Sequence, residues 1–259
     1  MNNPIAVEPG SGIPATNQTA HTLPKESLGH AISLAIVGLI AAVLSLIAIR
    51  QTGRVFELPN DLLNMKFLEG RNQSPEVMQR FYDGLIELNY KHAALWIGIA
   101  GSIVGVLFGL ALGVMRGSRA SIVSGALGGL ILGCLLSACG GLVANCLGEN
   151  IVSQVRKEKT EVPAHYAMLL HGATFLVVGL GIGLGTGLGA TKNRIAAALS
   201  SMVMAGIAGA AGGAFYPFVA SLAMPFVDPS LTIPEGDFNR MVWLGLPFVS
   251  MGLALGRRV

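Results

Sequence analysis

The stretch "GLGIGLGTGLG", residues 179–189, puts a glycine at every second position of an apolar segment. It reads either as a phosphate-cradling loop or as a helix surface. G-x-G-x-x-G needs a glycine at 184 after Gly179 and Gly181, or at 186 after Gly181 and Gly183, but Leu184 and Thr186 stand there. Lys192 is not preceded by glycine, and no strand pattern leads into the run, so the nucleotide-binding readings fail. On a helix, Gly179, Gly183 and Gly187 form one stripe, and Gly181, Gly185 and Gly189 form another. Residues two apart point about 200° from each other. The spacing therefore predicts a central helix clasped closely on two faces by the GxxxG mode of membrane helix association.

The surroundings fit that mode. The chain has 259 residues, 52% hydrophobic and only 12% charged, with mean hydropathy +0.63, whereas soluble domains carry about 25% charge. Six apolar runs, at 28–49, 93–115, 120–148, 164–190, 195–226 and 241–256, read as membrane spans. The expected fold is an all-α integral membrane protein of six transmembrane helices, with the lipid bilayer as its first partner. A net charge of +3 indicates no nucleic-acid partner.

Residues 1–25 are polar, rich in Pro and Gly, and read as a disordered tail rather than a signal peptide. Residues 26–259 form one membrane domain, with an extramembrane amphipathic helical segment at 55–92. There Ser74 is a candidate N-cap, Pro75 takes the first helical position, Glu76 follows, and Val77, Phe81, Leu85 and Leu88 recur at helical spacing. The short basic connections 116–119 and 191–194 and the C-terminal "GRRV" lie on one side of a six-span arrangement. The positive-inside rule puts them and both termini in the cytoplasm, the membrane being read as a prokaryotic cytoplasmic one. Arg50 and Arg54, on the other side, run against that rule.

A shift of about 72 residues overlays the chain on itself. "GVLFGLALGVMRG" (105–117) meets "VVGLGIGLGTGLG" (177–189), and "GLILGCLLSACGG" (129–141) meets "SMVMAGIAGAAGG" (201–213). "GLALG" at 109–113 recurs at 252–256. The expected organisation is three tandem helical hairpins, a parallel repeat about an axis along the membrane normal, with glycine-zipper packing. Its stripes are Gly101, Gly105, Gly109 and Gly113 in span two, and Gly125, Gly129, Gly133, Ser137, Gly141 and Asn145 in span three. In span five they are Ala197, Ser201, Ala205, Gly209 and Gly213.

Charged side chains are missing from the span interiors, which argues against ion-coupled transport and membrane hydrolysis. Ser137, Asn145, Glu149 and His171 are the candidates for a polar path. His171, alone at its depth, reads as a helix-to-helix hydrogen bond rather than a haem or metal ligand; His92 and His165 read as interfacial caps. Cys134, Cys139 and Cys146 share one helix and match no disulfide or zinc spacing. No catalytic, cofactor or metal constellation emerges. The expected function is a non-enzymatic structural, assembly or accessory subunit, with a homo-oligomer or another membrane protein as partner. The alternatives are a channel or facilitator for a small neutral solute and, third, a redox or enzymatic subunit using His171.

Overall fold

The computed structural model describes residues 25–53, 55–60, 62, 75–158, 164–190, 193–223, 228 and 230–258. Regular structure among them is entirely helical: α1 (Lys25–Thr52), α2 (Pro75–Met115), α3 (Arg119–Glu158), α4 (Ala164–Gly187), α5 (Arg194–Ala223) and α6 (Asp237–Gly256). All six are long and apolar enough to cross a membrane, and the chain is read as an integral, multi-pass membrane protein. The expected tail lies, apart from Lys25, outside the described residues, as do Ser74 and most of 61–74.

The helices run past the apolar segments that betray them. Pro75 starts α2, its missing N–H costing nothing at the first helical position. The helix then continues for 41 residues, about 60 Å, twice the hydrocarbon thickness of about 30 Å. Its polar end is braced locally, with Lys91 pairing with Glu87 at 2.6 Å and Gln79 donating to Asp83 at 2.9 Å. Phe81 is buried, and Leu62 packs over Gly84. At its other end α2 stops at Gly117, whose φ of 65° is the left-handed conformation of a helix C-terminus. Arg116, beside it, donates from Nη1 to the Thr186 carbonyl at 3.3 Å, one of the last carbonyls of α4, which also accepts the Gly189 N–H at 3.2 Å.

Each helix packs on its neighbours in the chain, and α1 packs on α6, which closes the bundle; α2 also meets α4. The spans of α2, α4 and α6 are more buried than those of α1, α3 and α5. The latter turn large apolar side chains outward, among them Ile36, Leu44, Leu127, Leu135, Leu199 and Ile207. Such a surface is a liability in water and the expected solvent-facing surface in lipid.

Inside, small residues set the spacing. Gly105 and Gly109 of α2 lie on Gly129 and Gly125 of α3, so that a Cβ on either α2 glycine would enter the facing backbone. Gly101 meets Gly133 and Ser137, Gly113 meets Ile122, and Gly141 meets Ala93. On α4, Gly179, Gly183 and Gly187 face Ala205, Ser201 and Ala198 of α5, while Gly181 and Gly185, and Gly189 in the turn just past the helix, face Leu132, Gly128 and Gly125 of α3. Gly209 and Gly213 of α5 return onto Phe175 and His171. Gly252 and Gly256 of α6 lie on Leu34 and Ala31 of α1. The remaining space holds one apolar cluster drawn from α1, α2, α4, α5 and α6, including Phe108, Phe175, Ile182, Trp243, Phe248 and Met251.

Candidate functional site

Three of the four polar-path residues follow the seam between α2 and α3. Ser137 is buried against Gly101, with no hydrogen-bond partner for its Oγ. Two turns on, Asn145 donates from Nδ2 to the Gly141 carbonyl at 3.1 Å and to the Asn89 carbonyl at 3.4 Å. Glu149, exposed further along α3, accepts the Tyr90 hydroxyl at 3.0 Å, and Tyr90 also reaches Cys146 Sγ at 3.4 Å.

His171 is not among them. It sits on α4, fully buried where α5 and α6 meet, and its Nδ1 accepts the indole N–H of Trp243 at 3.0 Å. An indole nitrogen can only donate, so Nδ1 is the unprotonated nitrogen of the ring. The Tyr216 ring stands edge-on to the imidazole with centroids 4.9 Å apart, and its hydroxyl donates to Asn239 Oδ1 at 2.6 Å. Phe175 closes the cluster edge-on against Trp243, at 5.2 Å. The Trp243–His171 and Tyr216–Asn239 bonds pair these atoms inside the bundle, where an unpaired polar atom is costly; Asn239 Nδ2, buried with them, has no hydrogen-bond partner. Among the described residues, no three His, Cys, Asp or Glu side chains gather to hold a metal ion.

The most developed site lies elsewhere, at the end of the bundle from which the long connection between α1 and α2 leaves. A cavity of about 360 Å³ opens there. Asn89, His92 and Trp96 of α2 line it together with Asn145 of α3 and Arg240 of α6. Leu231, Thr232, Ile233 and Glu235 of the connection before α6 complete the wall. Its floor is a stack. Phe56 leans on His92 at 5.6 Å, His92 stacks on Trp96 at 5.1 Å, and the Arg240 guanidinium lies over the Trp96 ring at 5.3 Å. The last contact is a cation–π interaction, strongest over tryptophan. Arg240 Nε also donates to the Pro234 carbonyl at 2.8 Å, which ties the wall to α6. Gly236, at φ 78°, supplies the left-handed turn that lets this connection fold back into α6.

Asn145 thus reaches the cavity, Ser137 and Glu149 lie on the same seam but do not line it, and His171 belongs to a separate cluster. Sequence reading passed over Trp96, Arg240, Glu235, Tyr216 and Trp243. The signal open to it was the placement of the chain's two tryptophans and Arg240 near the ends of apolar runs, where aromatic and basic anchors concentrate. Compared with known proteins, the chain matches no family model, no curated protein and no solved structure.

Proposed function

We propose that this chain is a non-enzymatic multi-pass membrane protein that serves as a structural, assembly or accessory subunit. The observation behind the reading is the filled interior. The faces that a water path needs are occupied by helix seams, with Gly101, Gly105 and Gly109 against Gly133, Gly129 and Gly125. The middle holds aromatic and aliphatic side chains. Lipid supplies no hydrophobic drive between helices, so close backbone contact takes its place; that is what a glycine zipper provides.

We read the same contacts as a threefold parallel repeat. Gly105, Gly109 and Gly113 face the partner helix α3 as Gly179, Gly183 and Gly187 face α5, and as Gly252 and Gly256 face α1. By partner, the offset from α2 to α4 is two residues beyond the overlay of about 72. In this reading the repeated pairs are α2–α3, α4–α5 and α6–α1, which differs from the tandem hairpins α1–α2, α3–α4 and α5–α6 that the sequence suggests, the last pair being joined by packing and not by a connection. Both termini are placed in the cytoplasm of a prokaryotic cell. Arg50, on the opposite side, pairs with Asp237 at 2.5 Å; the rule counts Lys and Arg rather than net charge, so Arg50 and Arg54 still run against this orientation.

Reconstitution tests the function. Liposomes carrying the purified protein are expected to lose glycerol and urea at the rate of protein-free liposomes, and extraction in mild detergent to retain a homo-oligomer or a stoichiometric membrane partner. Solute flux well above the protein-free rate overturns the reading in favour of a pore.

A further inference from the structure

We propose that the cavity at the long-connection end binds a small zwitterion, a molecule that presents an anionic oxygen group to Arg240 and an ammonium to Glu235. The proposal is independent of the subunit reading. It rests on two opposite charges that line one cavity and do not meet. Arg240 and Glu235 both face this space, and among the described residues neither takes part in an ion pair. Arg240 is held from behind. Its face lies on Trp96, which in turn lies on His92, and its Nε is committed to the Pro234 carbonyl. The guanidinium carries five N–H donors and no acceptor; with Nε engaged, its terminal nitrogens are left to donate. A cation whose position is already fixed binds an oxyanion without a further ordering cost.

The carboxylate of Glu235 decides the class of ligand. A plain anion entering the cavity meets Glu235 as a like charge, and a plain cation meets Arg240. A zwitterion satisfies both charges at once, while the Asn89 side-chain amide and Asn145 Oδ1, whose own Nδ2 is committed to the Gly141 and Asn89 carbonyls, offer it hydrogen bonds. The volume of about 360 Å³ lies within the range of small-molecule pockets, about 300–1,000 Å³, and far above the roughly 30 Å³ of one water. Two sources carry this chemistry, a free amino acid and the phosphoethanolamine headgroup of a lipid.

The test uses the full-length protein in detergent. Calorimetric titrations on the wild type are run with glycine, β-alanine and O-phosphoethanolamine, with acetate as the plain anion. Tryptophan fluorescence is followed in Trp243→Phe, which leaves Trp96 as the sole tryptophan. Native mass spectrometry reads any phosphatidylethanolamine that stays bound through purification. Saturable binding of a soluble zwitterion is expected, tighter than acetate and weakened about tenfold or more by Arg240→Gln and by Glu235→Gln. Glu235 is exposed, so its variant reads the site even where Arg240→Gln fails to fold. Phosphatidylethanolamine retained by the wild type and lost from Glu235→Gln, without response to soluble probes, supports the same chemistry with a lipid source. Acetate binding as tightly as glycine, binding indifferent to Glu235→Gln, or no binding of either source overturns the proposal.

Discussion

Gly109 of α2 and Gly125 of α3 approach so closely that a Cβ placed on Gly109 would lie inside the backbone of Gly125 and Ala126. Neither helix can yield locally, because Gly105 on Gly129 and Gly101 on Gly133 repeat the contact along the seam. Gly109→Val is therefore expected to destabilise the protein by about 1–3 kcal/mol or more, as overpacking does. Gly29→Ala, where nothing lies within 4 Å of the added carbon, is expected to stay within about 0.5 kcal/mol of the wild type. Thermal unfolding in detergent, with both variants side by side, measures the difference; equal melting temperatures would contradict the contact.

The hydrogen bond from Trp243 to His171 makes a second prediction. His171→Phe leaves a buried indole N–H without its acceptor, at a cost of about 1–3 kcal/mol. Trp243→Phe leaves the imidazole nitrogen unpaired at a similar cost. The double variant is expected to lose less than the sum of the two, the signature of residues in direct contact. A double-mutant cycle on unfolding free energy checks this, and strict additivity would mean that the bond contributes nothing.

A third prediction concerns access. Cys134, Cys139 and Cys146 are all free thiols on the outward side of α3. Cys134 and Cys139 lie among apolar neighbours such as Leu135 and Leu142, whereas Cys146 touches Tyr90 at the polar end of the helix. In sealed vesicles a membrane-impermeant maleimide is expected to label Cys146 and spare the other two. Mass spectrometry locates the label, and modification of Cys134 or Cys139 would mean that water reaches the face assigned to lipid.

Arg116 provides the fourth. Its contact with the Thr186 carbonyl places a cation at the C-terminus of α4, worth about 0.3–1 kcal/mol. Arg116→Ala is expected to lower the melting temperature slightly, and Arg116→Lys to recover part of the loss because the charge remains.

The helices were legible because apolar runs and small-residue stripes are local signals that lipid makes obligatory. Gly179 and Gly181 themselves lie against Ala205 of α5 and Leu132 of α3. Helix ends were less legible: α2 and α3 continue beyond the hydrocarbon on polar residues that interrupt no periodicity. The cavity was hardly legible at all. Asn145 was singled out through its place in a stripe, but Trp96, Glu235 and Arg240 come from three separate segments and acquire a joint meaning only when α6 packs beside α2. The register of the internal overlay shows the same limit, since a segment with glycine at every second position aligns with itself after a shift of two. In the proposed repeat, the identity of the facing helix distinguishes the two alignments.

The packing of α6 on α1 carries a consequence for biosynthesis. Helix α1 makes its most extensive contact with α6, from which α2 to α5 separate it along the chain, and there Gly252 and Gly256 seat on Leu34 and Ala31. Until α6 has been inserted, the side of α1 that bears Leu34 and Ala31 lacks this mate, and the bundle has an open flank in the membrane. Insertion of α6 is a latch: it closes that flank and brings the start of α1 beside the end of α6.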